Sequence, residues 1–133
     1  MKLEEIEGIG TVYAAKLEAA GVKSIEELLQ QGASRRGRDE IATKSGISGT
    51  LILEWVNHAD LMRIKGVGSE YADLLEAAGV DSLPELAQRS PANLAARLEA
   101  VNAEKKLVRR VPTEGEVTDW VRQAQSLPRV VMH

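Results

Sequence analysis

The sequence predicts an all-α protein made of two tandem units, each of about five short helices, packed together. Three observations predict it. First, the stretch Leu3–Val22 recurs as Leu61–Val80, displaced by 58 residues. Both copies read Leu-x-x-Ile-x-Gly-apolar-Gly-x-x-Tyr-Ala-x-x-Leu-Glu-Ala-Ala-Gly-Val, a match long enough to mark an internal duplication. Second, no stretch alternates polar and apolar residues long enough to demand a strand, and Leu107–Val111 is the single ambiguous run. Third, aromatic residues make up 3% of the chain and Phe is absent, so Ala, Leu, Ile and Val must fill the core, as suits small helical units.

The repeated stretch reads as helix, hairpin, helix. Leu3 and Ile6 lie three apart, on one face of a short helix. Gly8 and Gly10 bracket Ile9, and glycine tolerates positive φ, so a tight turn is expected. Tyr13, Ala14 and Leu17 recur at helical spacing, and Gly21 closes that helix. Ser24 with Glu27 is a capping box that opens a short helix carrying Leu28 and Leu29. Ser82-Leu83-Pro84-Glu85 is its counterpart, with proline in the first turn, where its missing N–H is harmless. After the polar run Gln31–Ser34 and the cluster Arg35-Arg36-Gly37-Arg38, a helix is expected from Asp39 to Ser45, ended by Gly46. Ser90-Pro91 starts the equivalent helix, with Leu94, Leu98 and Val101 on one face.

A tryptophan marks the last helix of each unit. Ser48 precedes Trp55 by seven residues, as Thr113 precedes Trp120, and Thr113-x-x-Glu116 is a further capping box. The tryptophan offset is 65 rather than 58, so the second unit carries a seven-residue insertion, placed within Glu104–Pro112. Pro128 ends the final helix. The expected division is therefore 1–60, 61–128 and a loose tail, 129–133. Units of this size bury surface poorly alone, so the two are expected to pack together about a pseudo-twofold axis.

Composition excludes several classes. The chain has no cysteine, which removes disulfides, thiolate metal sites and thiol nucleophiles and fits a reducing compartment. No apolar run approaches membrane-spanning length, and Met1-Lys2-Leu3-Glu4-Glu5 is too acidic for a signal peptide. A soluble cytoplasmic protein without membrane association is expected. The net charge of −3 argues against a general nucleic-acid coat but leaves room for a local basic site. There is no phosphate loop ending in Gly-Lys-Ser/Thr, no nucleophile elbow and no His-x-x-x-His helix. His58 is a lone helical histidine and His133 is terminal. The expectation is a non-catalytic chain with no metal, cofactor or small-molecule substrate.

The Leu-x-x-Ile-x-Gly-Ile-Gly-x-x-x-Ala-x-x-Leu-x-x-Ala-Gly stretch resembles the helix-hairpin-helix motif. Extended through Gly21–Leu28, Gly46-Ile47-Ser48 and the Trp55 helix, it resembles the small N-terminal domain of archaeal and eukaryotic RecA-type recombinases. It is also similar to the tandem helical repeats at the C-terminus of some bacterial transcription elongation factors, and to stand-alone tandem proteins of an uncharacterised bacterial family. Ser90-Pro91-Ala92-Asn93-Leu94 fits the same pattern in the second copy. The resemblance implies sequence-independent DNA binding through hairpin backbone and phosphate, or a protein-interaction adaptor; the family includes both.

The sequence departs from the motif before the first hairpin glycine, where proline is usual. Here the residues are Glu7 and Lys65. Gly8 and Gly10 of the first hairpin are candidate DNA-binding residues too, but Glu4, Glu5 and Glu7 give that hairpin an acidic rim that disfavours phosphate, so a structural or protein-binding role is favoured there. The second hairpin is the expected DNA site. Val67, Gly68 and Ser69 would offer backbone N–H groups beyond Gly66, and Arg63 and Lys65 would add charge. Arg35, Arg36 and Arg38, and the insertion residues Lys105, Lys106, Arg109 and Arg110, are candidate further phosphate contacts, weighed against solvated loops. Trp55 and Trp120 could stack on bases, but their matched positions on apolar faces favour the core, as for Tyr13 and Tyr71.

Overall fold

The computed structural model describes residues 1–133, and the protein is all-α with no strand. It divides into two compact units, Met1–Asp60 with Val130–His133, and Leu61–Arg129. The first unit contains a 3-10 turn at Leu3–Glu5, then α1 (Thr11–Ala19), α2 (Ile25–Gln31), α3 (Arg35–Ser45) and α4 (Gly49–Leu61). The second contains α5 (Ser69–Ala77), α6 (Leu83–Ala87), α7 (Pro91–Lys105) and α8 (Glu114–Ser126). It has no separate opening helix. Leu61–Ile64 forms a single turn closed by the Ile64 N–H on the Leu61 carbonyl, directly after α4 ends.

Local chemistry sets the helix ends. Ser24 and Ser82 accept the N–H of Glu27 and Glu85, so both predicted caps form. The two glutamates, however, reach one residue further back than a capping box requires, to the amides of Lys23 and Asp81. The Thr113–Glu116 box closes reciprocally, at 3.1 and 3.0 Å. Gly46 ends α3 at φ 74°, as its sequence position predicts. Helix α3 starts four residues earlier than expected, because Ser34 caps it through the Gly37 N–H. The arginine cluster therefore lies in the first turn of a helix and not in a loop.

The cores are aliphatic. Leu17, Val22, Leu28 and Ile52 are fully buried in the first unit, and Leu74, Leu75, Leu86, Leu94 and Leu98 in the second. Helix α8 packs on α6 and α7, and α5 packs on α7. Each tryptophan is 2% exposed and meets its unit's tyrosine ring at 5.1 Å (Tyr13–Trp55) or 5.2 Å (Tyr71–Trp120). Neither indole is available to stack on a base.

The tail is not loose. Val131 is 2% exposed and the Met132 N–H donates to the Ala33 carbonyl, so residues 130–133 belong to the first unit. Burial of one apolar side chain and a main-chain hydrogen bond fasten it, neither of which its terminal position signals.

Candidate nucleic-acid interface

The two hairpins are built alike. In the first, the Ile6 N–H bonds the Leu3 carbonyl and the Ile9 N–H bonds the Ile6 carbonyl, both at 3.1 Å. In the second, Ile64 bonds Leu61 and Val67 bonds Ile64. Val67 is therefore corrected as a donor: its amide is used inside the turn at 3.0 Å and its side chain is buried. The two glycines of each pair also differ. Gly8 and Gly66 adopt φ of 94° and 99°, a region that disfavours any other residue. A Cβ on Gly66 would sit 3.1 Å from Trp120 Nε1, and one on Gly8 would sit 3.5 Å from Trp55 Nε1. The first glycine thus lets the turn close over the indole. The second glycine has no such duty. Gly10 and Gly68 have φ of −90° and −92°, and a Cβ there would meet nothing within 4 Å.

Those second glycines are the N-caps of α1 and α5, and neither helix has a side-chain cap. Elsewhere serine or threonine oxygens cap α2, α3, α4, α6 and α8, and α7 opens with proline. Glycine at an N-cap leaves the positive end of the helix dipole bare to whatever approaches.

Charge around the hairpins is less polarised than the flanking sequence implies. Lys65 is exposed, but Arg63 is half-buried and donates to the Pro128 carbonyl at 2.9 Å. Glu70 stands in the first turn of α5, whereas the first turn of α1 has no acid and exposes Val12 at 68%. In the acidic rim, Glu5 accepts the Lys2 N–H.

A contact missed in the sequence fixes the second hairpin. The Gln123 amide grips Lys65 on both main-chain groups, accepting its N–H at 2.9 Å and donating to its carbonyl at 3.1 Å. Gln123 lies three residues after Trp120 on α8, a face-sharing spacing that could have pointed to it. The corresponding residue after Trp55 is His58, which is buried.

The insertion is an ordered loop laid beside α5. Asn102 holds both the N–H and the carbonyl of Val108, and the Tyr71 hydroxyl donates to the Arg110 carbonyl at 2.8 Å. Through Arg110 the insertion thus meets α5, the helix that Gly68 precedes. Its four cations are not equivalent. Lys105 ends α7 and Lys106 caps it in the left-handed conformation, both exposed, where a cation suits the helix C-terminus. Arg109 is exposed. Arg110 makes a fork to Glu116 at 2.7 and 2.8 Å, which holds that carboxyl far down, at about 2, and raises the guanidinium further.

Arg38 is corrected from phosphate contact to structural residue. It is 6% exposed and donates to the carbonyls of Gly32, Ala33 and Met132. Burial pulls its pKa down from the usual arginine range, though the carbonyls keep a guanidinium in place. Arg35 and Arg36 are exposed on the first turn of α3, and Arg36 faces Glu40 at 3.6 Å.

No group of three or more His, Cys, Asp or Glu side chains could hold a metal ion, and no helix is long and apolar enough to cross a membrane. Residues 7–127 match the model of a protein family described as Domain of unknown function (DUF4332), and the chain belongs to that family. No curated protein and no solved structure matches it.

Proposed function

We propose that this DUF4332 protein is a non-catalytic, sequence-independent DNA binder that uses its second hairpin in the manner of the helix-hairpin-helix motif it resembles. The observation that carries the reading is the second glycine. Gly68 is required neither by its φ nor by any neighbour, yet it replaces the hydroxyl cap used by most other helices of the chain. Its absent side chain lets a phosphate oxygen approach the N–H groups at the start of α5. Lys65 stands exposed on the turn, and the insertion fastened to Tyr71 supplies Lys105, Lys106 and Arg109. Arg110, held by Glu116, contributes less. Contacts of this kind go to the backbone and read no bases.

A salt titration against duplex and branched DNA tests this. Three to four cationic contacts give a slope of log K on log salt of about −3. Gly68→Val with Lys65→Glu should abolish binding without unfolding the chain. Affinity indifferent to salt, or to that double substitution, refutes the reading.

A second reading applies to the first hairpin. There Val12 takes the place of Glu70 and is 68% exposed, next to a rim containing exposed Glu4. That surface suits a protein partner with an apolar contact. Partners captured from extract that persist after nuclease treatment support the adaptor, and their complete loss supports DNA.

A further inference from the structure

The turn of the second hairpin is braced from α8 at two adjacent residues. Gln123 Oε1 accepts the Lys65 N–H at 2.9 Å, and Gln123 Nε2 donates to the Lys65 carbonyl at 3.1 Å. Nε2 also donates to Asp119 Oδ2 at 2.9 Å, one turn back on the same helix, which orients the amide towards Lys65. Next along the turn, Gly66 closes over the Trp120 indole. Only a carboxamide carries an acceptor and two donors on one planar group, so glutamine suits all three bonds. Both main-chain groups of Lys65 are thereby held by α8, and its side chain stays exposed. In the first unit the residue three after the tryptophan is His58, so the first hairpin has no carboxamide at that place. We propose that Gln123, oriented by Asp119, is the positioning residue for phosphate recognition by the second hairpin. It is also the residue that sets this hairpin apart from the first. The role rests on the phosphate-binding reading of the second hairpin.

The physical reason is preorganisation. Phosphate recognition requires the Lys65 ammonium and the N–H groups at the start of α5 to meet one anion together. Lys65 is joined to that helix start through Gly66, which has no side chain to stiffen the backbone. Fixing one backbone residue only on binding lowers affinity by about tenfold. The brace completes that ordering during folding, before the ligand arrives. Gln123 acts through Lys65 and not on the phosphate, since its polar atoms are turned to Lys65 and Asp119.

The test measures binding of a fluorescein-labelled short DNA duplex to the full chain by anisotropy over a salt series, with circular dichroism checking that each variant is folded. Gln123→Met keeps the length of the side chain and removes both bonds to Lys65. It should bind about tenfold more weakly at every salt concentration. The slope of log K on log salt should not change, because the same cations remain. Lys65→Met should instead reduce the steepness of that slope by about 1. Gln125→Met is the control for a merely structural role. It loses a glutamine bond on the same helix, from Gln125 Nε2 to the Ala87 carbonyl at 3.2 Å, and should keep wild-type affinity. Gln123→Asn is neutral, keeps the amide and is one methylene too short to reach Lys65. It should reproduce the loss, and it decides the matter where the Met variant does not fold. Failure of the wild-type chain to bind DNA refutes the hairpin reading and this role with it. Wild-type binding with both Gln123 variants within about twofold of it overturns the role of Gln123 alone. Equal weakening by Gln125→Met does the same.

Discussion

The hairpin glycines look interchangeable in sequence, and the structure predicts that they are not. Replacing Gly66 by Ala forces a side chain onto φ 99°, a strain of about 1–3 kcal/mol. The new Cβ also lands 3.1 Å from Trp120 Nε1. That indole is 2% exposed and pinned by Tyr71 at 5.2 Å, so it yields little, and overpacking adds about 1 kcal/mol or more. The smaller entropy of the unfolded alanine chain returns about 0.4–1 kcal/mol. The net expectation for Gly66→Ala is a loss of about 2–3 kcal/mol. Gly8→Ala should cost less, about 1–2 kcal/mol, because its Cβ meets Trp55 Nε1 at an ordinary 3.5 Å. Gly68→Ala meets nothing at φ −92°. There the poorer N-cap and the stiffer unfolded chain nearly cancel, to within about 0.5 kcal/mol. Urea unfolding followed by tryptophan fluorescence and by circular dichroism reads all three, and coincident transitions license a two-state treatment. A 2 kcal/mol loss moves the midpoint by about 1 M. Gly68→Ala should instead weaken DNA binding while leaving the midpoint in place. Equal midpoints for Gly66→Ala and Gly68→Ala would refute the division of roles.

Gln123→Ala removes both bonds to the Lys65 main chain and should cost about 1–2 kcal/mol, with faster exchange of the Lys65 amide than of the α5 amides. Arg38→Ala strips three carbonyls of a charged donor and should cost about 2–4 kcal/mol in the urea midpoint. Arg38→Lys should not restore it, since an ammonium cannot span the fork. Glu116 has its pKa depressed from 4.5 to about 2, first by its hydrogen bonds from Arg110 and then by the Thr113 amide. Its contribution is therefore fully present above pH 4.5 and is lost as pH falls from there towards 2. Glu116→Gln should flatten that limb of the stability profile, by a modest amount because the pair faces solvent.

The duplication, the all-α class and several helix ends were legible because they are local, although the start of α3 at Arg35 was not. Glycine at Gly46, serine at Ser24 and Ser82, and the Thr113–Glu116 pair act on backbone groups within four residues, and sequence spacing specifies such contacts. The burial of Trp55 and Trp120 was legible from their matched apolar faces. What sequence could not decide was the fate of a charge or a donor once distant segments met. Arg38 reads as one of three exposed arginines until Met132, 94 residues away, supplies its carbonyl. Arg110 reads as a free cation until Glu116 takes both its terminal nitrogens, and Val67 reads as a donor until the turn consumes its amide. The two glycines of each hairpin are identical letters; the positive φ of the turn, together with an indole that arrives from the last helix of the unit, makes Gly66 obligatory, while neither constrains Gly68. Sequence thus determined which elements form. Tertiary structure decided which polar groups remain available to a ligand, because desolvation and pairing depend on neighbours that the chain brings from afar.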